Sequence, residues 1–295
     1  MGVKRRMVTL ELSWPEAAVA AAGLAGAATG AKLTRRPRLV AASAFARESA
    51  VVLALFALWQ LAGSFATAGP DGALARARWL WHLERVIHLP SEAIVQRAFL
   101  PHPMVVQALN LYYAGLHFPV LIVCLLWLFI WHRRQYRHVR TTLVMLTAIC
   151  LLVQFLPVAP PRMLTGDGMV DTAVQYGQSV YGSVAGFNAD QLSAMPSVHV
   201  AWALLVALAV VQVSRSRWRW FALAYPAATL LAVTVTANHF WLDGIAAALL
   251  LVLVLLVQRA GRAARAGLMA GRRASAAEPA EPGPSYVPDR PPVDA

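Results

Sequence analysis

Long apolar runs separated by arginine clusters constrain this chain more than any other feature. Runs at about 48 to 69, 104 to 131, 141 to 158, 197 to 213, 219 to 238 and 242 to 258 alternate with short basic stretches. About 20 apolar residues cross a bilayer, and slightly shorter runs suffice when polar residues at their ends reach the interface. Inside the hydrocarbon every backbone polar group must be satisfied within its own segment, so such runs become helices. The expected fold class is all-α, a polytopic membrane helix bundle with six transmembrane helices. Composition agrees, since 59% of the residues are hydrophobic and only 14% are charged, too apolar for a soluble domain of this size.

The net charge of +12 does not point to nucleic acid, because the basic residues lie in several clusters rather than one patch. Topology accounts for them. Lys32, Arg35, Arg36, Arg38 and Arg47 precede the first run; Arg133, Arg134, Arg137 and Arg140 follow the second. Arg215, Arg217 and Arg219 follow the fourth, and Arg259, Arg262 and Arg265 follow the sixth. With six spans all four clusters fall on the cytoplasmic side, as the positive-inside rule requires. Both termini are then cytoplasmic in a plasma membrane, and the loops at about 70 to 103 and 159 to 196 face outward. Heavy use of Ala and of Arg over Lys suggests a GC-rich bacterial genome.

Three regions follow: a basic cytoplasmic segment at 1–47, a membrane domain at 48–258 and a disordered cytoplasmic tail at 259–295. The tail is rich in Ala, Glu, Pro, Gly and Arg, with little to bury. Residues 16 to 31 are apolar but built from Ala and Gly, and are not counted as a span. Residues 71 to 99 mix Trp79, Trp81, Leu80 and Leu83 with Arg76, Arg78, Glu84 and Arg85, the pattern of a helix lying along the interface. The loop at 159–196 is too long to lack structure in a bundle, so a short helix or lid is expected there. Cys124 and Cys150 fall inside apolar runs and read as packing residues.

Two polar islands interrupt this apolar chain: Met195-Pro196-Ser197-Val198-His199 and Asn238-His239-Phe240-Trp241-Leu242-Asp243. In a helix, positions four apart share a face, so Asp243 would accept the Nδ1 proton of His239 and aim Nε2 outward. The topology puts Arg162, Ser197, His199, His239 and Asp243 at the outer ends of spans, at one depth. Ionisable groups in a span are costly, and several at one level indicate function. Phosphoryl transfer would use all five. His239 attacks phosphorus, Asp243 steadies the imidazolium, and His199 protonates the leaving oxygen. Arg162 and Ser197, with amides at a helix start set by Pro196, would hold the phosphoryl oxygens.

Ala194-Met195-Pro196-Ser197-Val198-His199 followed by His239 and Asp243 resembles the type 2 phosphatidic acid phosphatase superfamily. Pro160-Pro161-Arg162, then Asp171-Thr172, then the Ser197 island resembles the branch that includes inositol phosphorylceramide synthases. The resemblance covers about residues 48 to 258. It implies a covalent phosphohistidine at His239, no metal and no organic cofactor, a lipid phosphate as substrate, and an outward-facing active site. The acceptor is then water in a phosphatase or an alcohol in a transferase.

This chain departs from the broad family pattern at three places. Val198 stands where Gly is usual, Phe155 occupies the position of a Lys, and Val233 that of an Arg ahead of the nucleophile. Arg97, Tyr113 and His117 are the candidates by type to compensate. Asn110, Tyr113 and His117 share one helical face and either bind the headgroup or form a polar ladder between helices. Asp171 is either functional or a loop cap. Two rival readings are a metal site on His117, His199, His239 and Asp243 and a transporter. A transporter would place its ionisable groups near the bilayer midplane.

Overall fold

The structure, a computed structural model, describes residues 13–33, 37–67, 70–164, 168–178 and 192–277. The described residues form helices α1 (Trp14–Leu33), α2 (Pro37–Thr67), α3 (Pro70–Val86), α4 (Glu92–Phe99), α5 (Pro103–Gly115) and α6 (His117–Trp131). They continue with α7 (Arg133–Val153), α8 (Thr172–Gln175), α9 (Val198–Val213), α10 (Ala224–Val235) and α11 (Trp241–Ala277). Two 3-10 stretches, Pro161–Met163 and Arg217–Leu223, complete an all-α fold in which one isolated parallel bridge joins Val158 to Ser193. The chain divides into a large unit ending at Val254 and a second beginning at Leu255.

All six apolar runs are helical for most of their length, but not all are long enough to count as crossings. Three helices pass by length and composition, in the windows Ala42–Leu61, Arg133–Val153 and Trp241–Ala270. The pair α5 and α6 makes a fourth if its two parts, bent by 51°, are one span. Helix α9 has 16 residues and α10 has 12. At 1.5 Å per residue α9 is roughly 24 Å long, and α10 directly continues the 3-10 stretch Arg217–Leu223. The bend has a covalent cause: Pro119 has no N–H to offer the carbonyl of Gly115, so the ladder breaks between them. His117 thereby becomes the first residue of α6.

Helices run across both expected region boundaries. Helix α2 begins at Pro37 rather than near 48, and residues 16 to 31 lie within α1, which packs along α2. The expected tail is helical from Arg259 to Ala277 as the end of α11, because its Ala, Arg, Leu and Met residues are good helix formers. Residues 278–295 lie outside the described residues.

The segment at 71–99 forms two helices, α3 and α4, rather than one. Helix α3 ends in a turn with His88 in the left-handed region (φ 61°), where the Leu89 N–H reaches the Glu84 carbonyl at 2.9 Å. One stripe of α3, Ala73, Ala77, Leu80 and Glu84, is buried. Its apolar members pack with Val158, Ala159, Leu164, Ala194 and Phe240 into one cluster. The small side chains let the helix backbone come close, and the Ala159 N–H donates to the Ala73 carbonyl at 3.2 Å. Within the expected loop helix or lid, the described residues contain the turn at Pro161–Met163 and the single-turn α8.

Candidate active site

The geometry begins at the end of α10. The Asn238 N–H reaches back to the Val233 carbonyl at 2.9 Å and the Ala237 N–H to Thr234 at 3.0 Å. Ala237 sits in the left-handed region at φ 50°. This is the Schellman ending that usually carries glycine. The His239 N–H also meets the Val233 carbonyl, at 3.2 Å, so the reversal fixes the backbone of the histidine. Val233 is buried and supplies no cation where the family pattern has arginine.

His239 lies ahead of α11 rather than within it, so the expected shared helical face does not form. Asp243 instead reaches back from the third residue of α11, and its Oδ2 accepts the Phe240 N–H at 2.8 Å, one half of a capping box. The same oxygen lies 3.3 Å from His239 Nδ1. The shorter contact of Nδ1 is to the Ala194 carbonyl, at 2.6 Å. With two acceptors on Nδ1, the proton belongs there and Nε2 carries the lone pair. His239 Nε2 is buried with no hydrogen-bond partner.

Ala194 is held in turn by the segment at 157–164. The Val158 N–H donates to Leu192 at 2.8 Å and the Ala194 N–H to Val158 at 3.0 Å. Four residues on, the Arg162 N–H donates to the Ala237 carbonyl at 3.0 Å. The buried Arg162 guanidinium donates from Nη1 to Asn238 Oδ1, and its Nε lies 3.2 Å from Asp171 Oδ2. Asn238 is oriented by donating to the Thr236 hydroxyl at 2.7 Å. Main-chain bonds thus tie the arginine and the histidine to the same turn.

The opposite wall comes from α5, α6 and α9. Ser197 caps α9: its Oγ accepts the Val200 N–H at 3.3 Å, and its own N–H donates to the Asp243 carbonyl at 3.3 Å. His199 follows in the first turn, its ring 5.8 Å from that of His239 and its Nδ1 buried without a partner. Tyr113 stands 4.5 Å from the His199 ring and 6.3 Å from the His239 ring, and His117 stands 4.8 Å from His199. The break between α5 and α6 places these two side chains at the site.

This order of parts, arginine, then serine and histidine at a helix start, then histidine and aspartate, agrees with a match over residues 78–257 to the model of the PAP2 superfamily, the type 2 phosphatidic acid phosphatases. The chain belongs to the PAP2 superfamily. No curated protein and no solved structure matches it. PAP2 membership carries phosphatase or phosphotransferase activity on a lipid phosphate in a bilayer. Among the described residues no group of three or more His, Cys, Asp or Glu side chains is arranged to hold a metal ion.

Within this PAP2 chain the structure brings together His239, Asp243, His199, Arg162, Tyr113 and His117. Ser197 is present as a cap, its oxygen already engaged by a backbone amide. Arg97 is exposed and donates to the Ala93 carbonyl of its own helix at 3.1 Å. Asn110, three residues before Tyr113 on α5, accepts from the Thr172 hydroxyl at 2.9 Å and donates to Gln178 at 3.0 Å. Asp171 caps α8, its Oδ1 accepting the Val174 N–H at 3.0 Å, and its Oδ2 lies 3.2 Å from Arg162 Nε.

Sequence reasoning missed four contributors. The Ala194 carbonyl gives no side-chain signal. Asn238 stands beside the histidine and orients the arginine. Glu84 and Glu92 are buried, and their carboxylates accept the Leu242 and Trp241 N–H groups at 2.8 and 3.5 Å. Their signal was present: Glu84 completes the stripe begun by Ala73, Ala77 and Leu80, where an apolar residue would be expected.

Proposed function

We propose that this protein is an integral-membrane lipid phosphatase or phosphotransferase acting on a phospholipid or isoprenoid phosphate through a covalent phosphohistidine at His239. The observation that carries this reading is the state of His239. Its Nδ1 is held by Ala194 and Asp243 at 2.6 and 3.3 Å, and its buried Nε2 is left unpartnered near the His199 ring.

In the first step Nε2 forms a bond to phosphorus as the bond to the leaving oxygen breaks, and His199 delivers a proton to that oxygen. Asp243 and the Ala194 carbonyl stabilise the imidazolium that develops. Arg162, oriented by Asn238 and Asp171, meets charge on the equatorial phosphoryl oxygens. In the second step an acceptor hydroxyl loses its proton to His199 and takes the phosphoryl group, which frees His239. Water as acceptor releases phosphate; an alcohol makes the enzyme a transferase. The resemblance of Pro160-Pro161-Arg162 and Asp171-Thr172 to the inositol phosphorylceramide synthase branch supports a headgroup transferase, and Arg162 Nε lies 3.2 Å from Asp171 Oδ2. Tyr113 and His117 line the wall where headgroup or acceptor binds. The reading extends to six spans, cytoplasmic termini and an outward-facing site.

The test is a set of labelled lipid phosphates and phosphodiesters presented to purified enzyme with and without polyol acceptors, with the phosphorus followed. His239→Ala is expected to abolish turnover and the acid-labile, base-stable phosphoenzyme. Asp243→Asn is expected to lower kcat by about 10³ to 10⁴, the scale seen when a catalytic histidine loses its orienting carboxylate. Turnover near the original level in His239→Ala would defeat the mechanism.

A further inference from the structure

The start of α11 is surrounded by carboxylates. Its first free N–H groups, on Phe240, Trp241 and Leu242, are met by Asp243, Glu92 and Glu84 at 2.8, 3.5 and 2.8 Å. Helix starts favour anions. Two of these three arrive from far away in sequence, on α3 and α4, and both side chains are fully buried. Trp241 adds an indole N–H to the Pro90 carbonyl at 2.8 Å. The charged groups facing Glu84 are Arg85 on its own helix, Glu92 on α4 and Asp243 on α11.

That inventory does not balance if every carboxyl is ionised. Among the described residues the basic group that meets both glutamates is Arg85, with Nη2 at 3.2 Å from Glu92 and 3.6 Å from Glu84, while His239 Nδ1 lies 3.3 Å from Asp243. Buried like charges at such range cannot all persist, and one acid keeps its proton. Glu84 Oε2 is buried with no hydrogen-bond partner and lies 3.6 Å from Arg85 Nη2, the nitrogen that also meets Glu92 Oε2 at 3.2 Å, so the two carboxyls converge on one guanidinium nitrogen. Burial first, and then the hydrogen bond to Glu92 and its charge, push the Glu84 carboxyl up to about 9.

We propose that Glu84 and Glu92 are positioning residues, a proton-sharing carboxyl pair that clamps the first turn of α11 and so holds Asp243 and His239 in their mutual geometry. The inference rests on the catalytic reading above for its meaning, not for its geometry. Neither glutamate touches substrate. Neutral Glu84 accepts from the Leu242 N–H and donates to Glu92, which Arg85 Nη2 meets at 3.2 Å. Ionising Glu84 would set two anions against each other and a third at Asp243, and the clamp would open.

Two variants separate positioning from mere packing. Glu84→Gln keeps an acceptor for Leu242 and a donor for Glu92 with no proton to lose; Glu84→Leu removes both. Full-length protein in nanodiscs is read two ways. The first is histidine-selective ¹⁵N NMR, with His239 assigned by its loss in His239→Asn; the second is kcat and KM on short-chain phosphatidic acid from pH 6 to 10. His239 is expected as the Nδ1–H tautomer in the original protein and in Glu84→Gln, and as a tautomer mixture in Glu84→Leu. Glu84→Leu is expected to lose about 10²-fold in kcat at little change in KM, the effect of an ångström-scale misplacement. Glu84→Gln is expected to keep its neutral-pH rate and, one pH unit beyond the alkaline midpoint, to retain about tenfold more of it than the original protein.

A folded Glu84→Leu with unchanged His239 resonances and kcat overturns the proposal. So does an alkaline limb in Glu84→Gln that coincides with the original. If Glu84→Leu does not fold, Glu84→Gln decides alone through its alkaline limb and its His239 tautomer. No turnover of any phosphate ester by the original protein would refute the catalytic reading, and the NMR comparison would still decide the pair.

Discussion

Helices α1 and α3 bury the same pattern and do different things with it. In α1 the buried positions are Ala17, Ala21 and Ala28; in α3 they are Ala73, Ala77, Leu80 and Glu84. Both stripes place small residues where a neighbour's backbone comes close, at spacings that return to one helix face. Helix α1 lies along α2, before the region matched to the PAP2 superfamily, whereas α3 runs into that region and meets the segments at 157–164 and 192–194. What separates them is the last position. Ala28 ends a contact, but Glu84 continues it by a hydrogen bond to Leu242, one residue from Asp243. Small residues permit an approach, and a single carboxylate turns the approach into a constraint on chemistry.

The comparison breaks most visibly if matched substitutions behave alike. Ala77→Leu adds bulk under α3, at an overpacking cost of about 1 to 3 kcal/mol, and should lift the helix from Phe240 and Ala194. Its turnover is expected to fall about 10²-fold, while Ala21→Leu in α1 leaves turnover at its original level. Equal losses in a side-by-side assay would mean that α3 serves packing only.

A smaller effect concerns stability against pH. A carboxyl whose folded pKa lies above its unfolded value keeps a proton that the unfolded chain has released, so stability falls as pH rises between the two. For Glu84 that window runs from the ordinary carboxylate range to about 9. Glu84→Gln removes this loss. Its melting temperature relative to the original protein should therefore rise from pH 5 to pH 8, whereas Glu16→Gln on α1, an exposed residue, should show no such rise. A difference that stays flat with pH would place an ionised carboxylate at Glu84.

The smallest effect separates the turn from the helix that presses on it. Ala237 holds a left-handed conformation that costs a non-glycine residue about 1 to 2 kcal/mol. Glycine there relieves that strain but loses about 0.4 to 1 kcal/mol through the freer unfolded chain. Ala237→Gly should thus raise the melting temperature by a few degrees at most, on the scale of about 2 to 4 °C per kcal/mol, with kcat intact. A loss of kcat would show that the site needs the strained turn.

The bundle was legible because apolar runs and arginine clusters are properties of composition. The site's side chains were legible because His199, His239, Asp243 and Arg162 are costly residues in apolar surroundings. Their mode of assembly was not. The i, i+4 spacing of His239 and Asp243 suggested a helical face, but the helix begins at Trp241 and the pair meets through a cap. That Ser197 also caps α9 left no separate mark in the motif, because caps and ligands use the same hydroxyl. Glu84 was hidden by an apparently amphipathic helix, since reading α3 as interfacial assigns every charge on it to water. By length and composition three of the described helices qualify as crossings, or four with the bent pair, and α9 and α10 are the shorter ones.

The Val233 carbonyl, which takes the N–H groups of both Asn238 and His239, has a consequence for how such a site can diverge. The distance between arginine and nucleophile is written in peptide groups: Arg162 to Ala237, Ala194 to Val158, His239 to Val233. Peptide groups are common to all residues. On the proposed mechanism, side chains around this frame, Tyr113 and His117 among them, can differ and re-shape acceptor choice while the reacting atoms keep their spacing. Val233 itself illustrates the division: a cation can be lost from that position without moving the histidine, because what the position contributes to His239 is its oxygen and not its side chain.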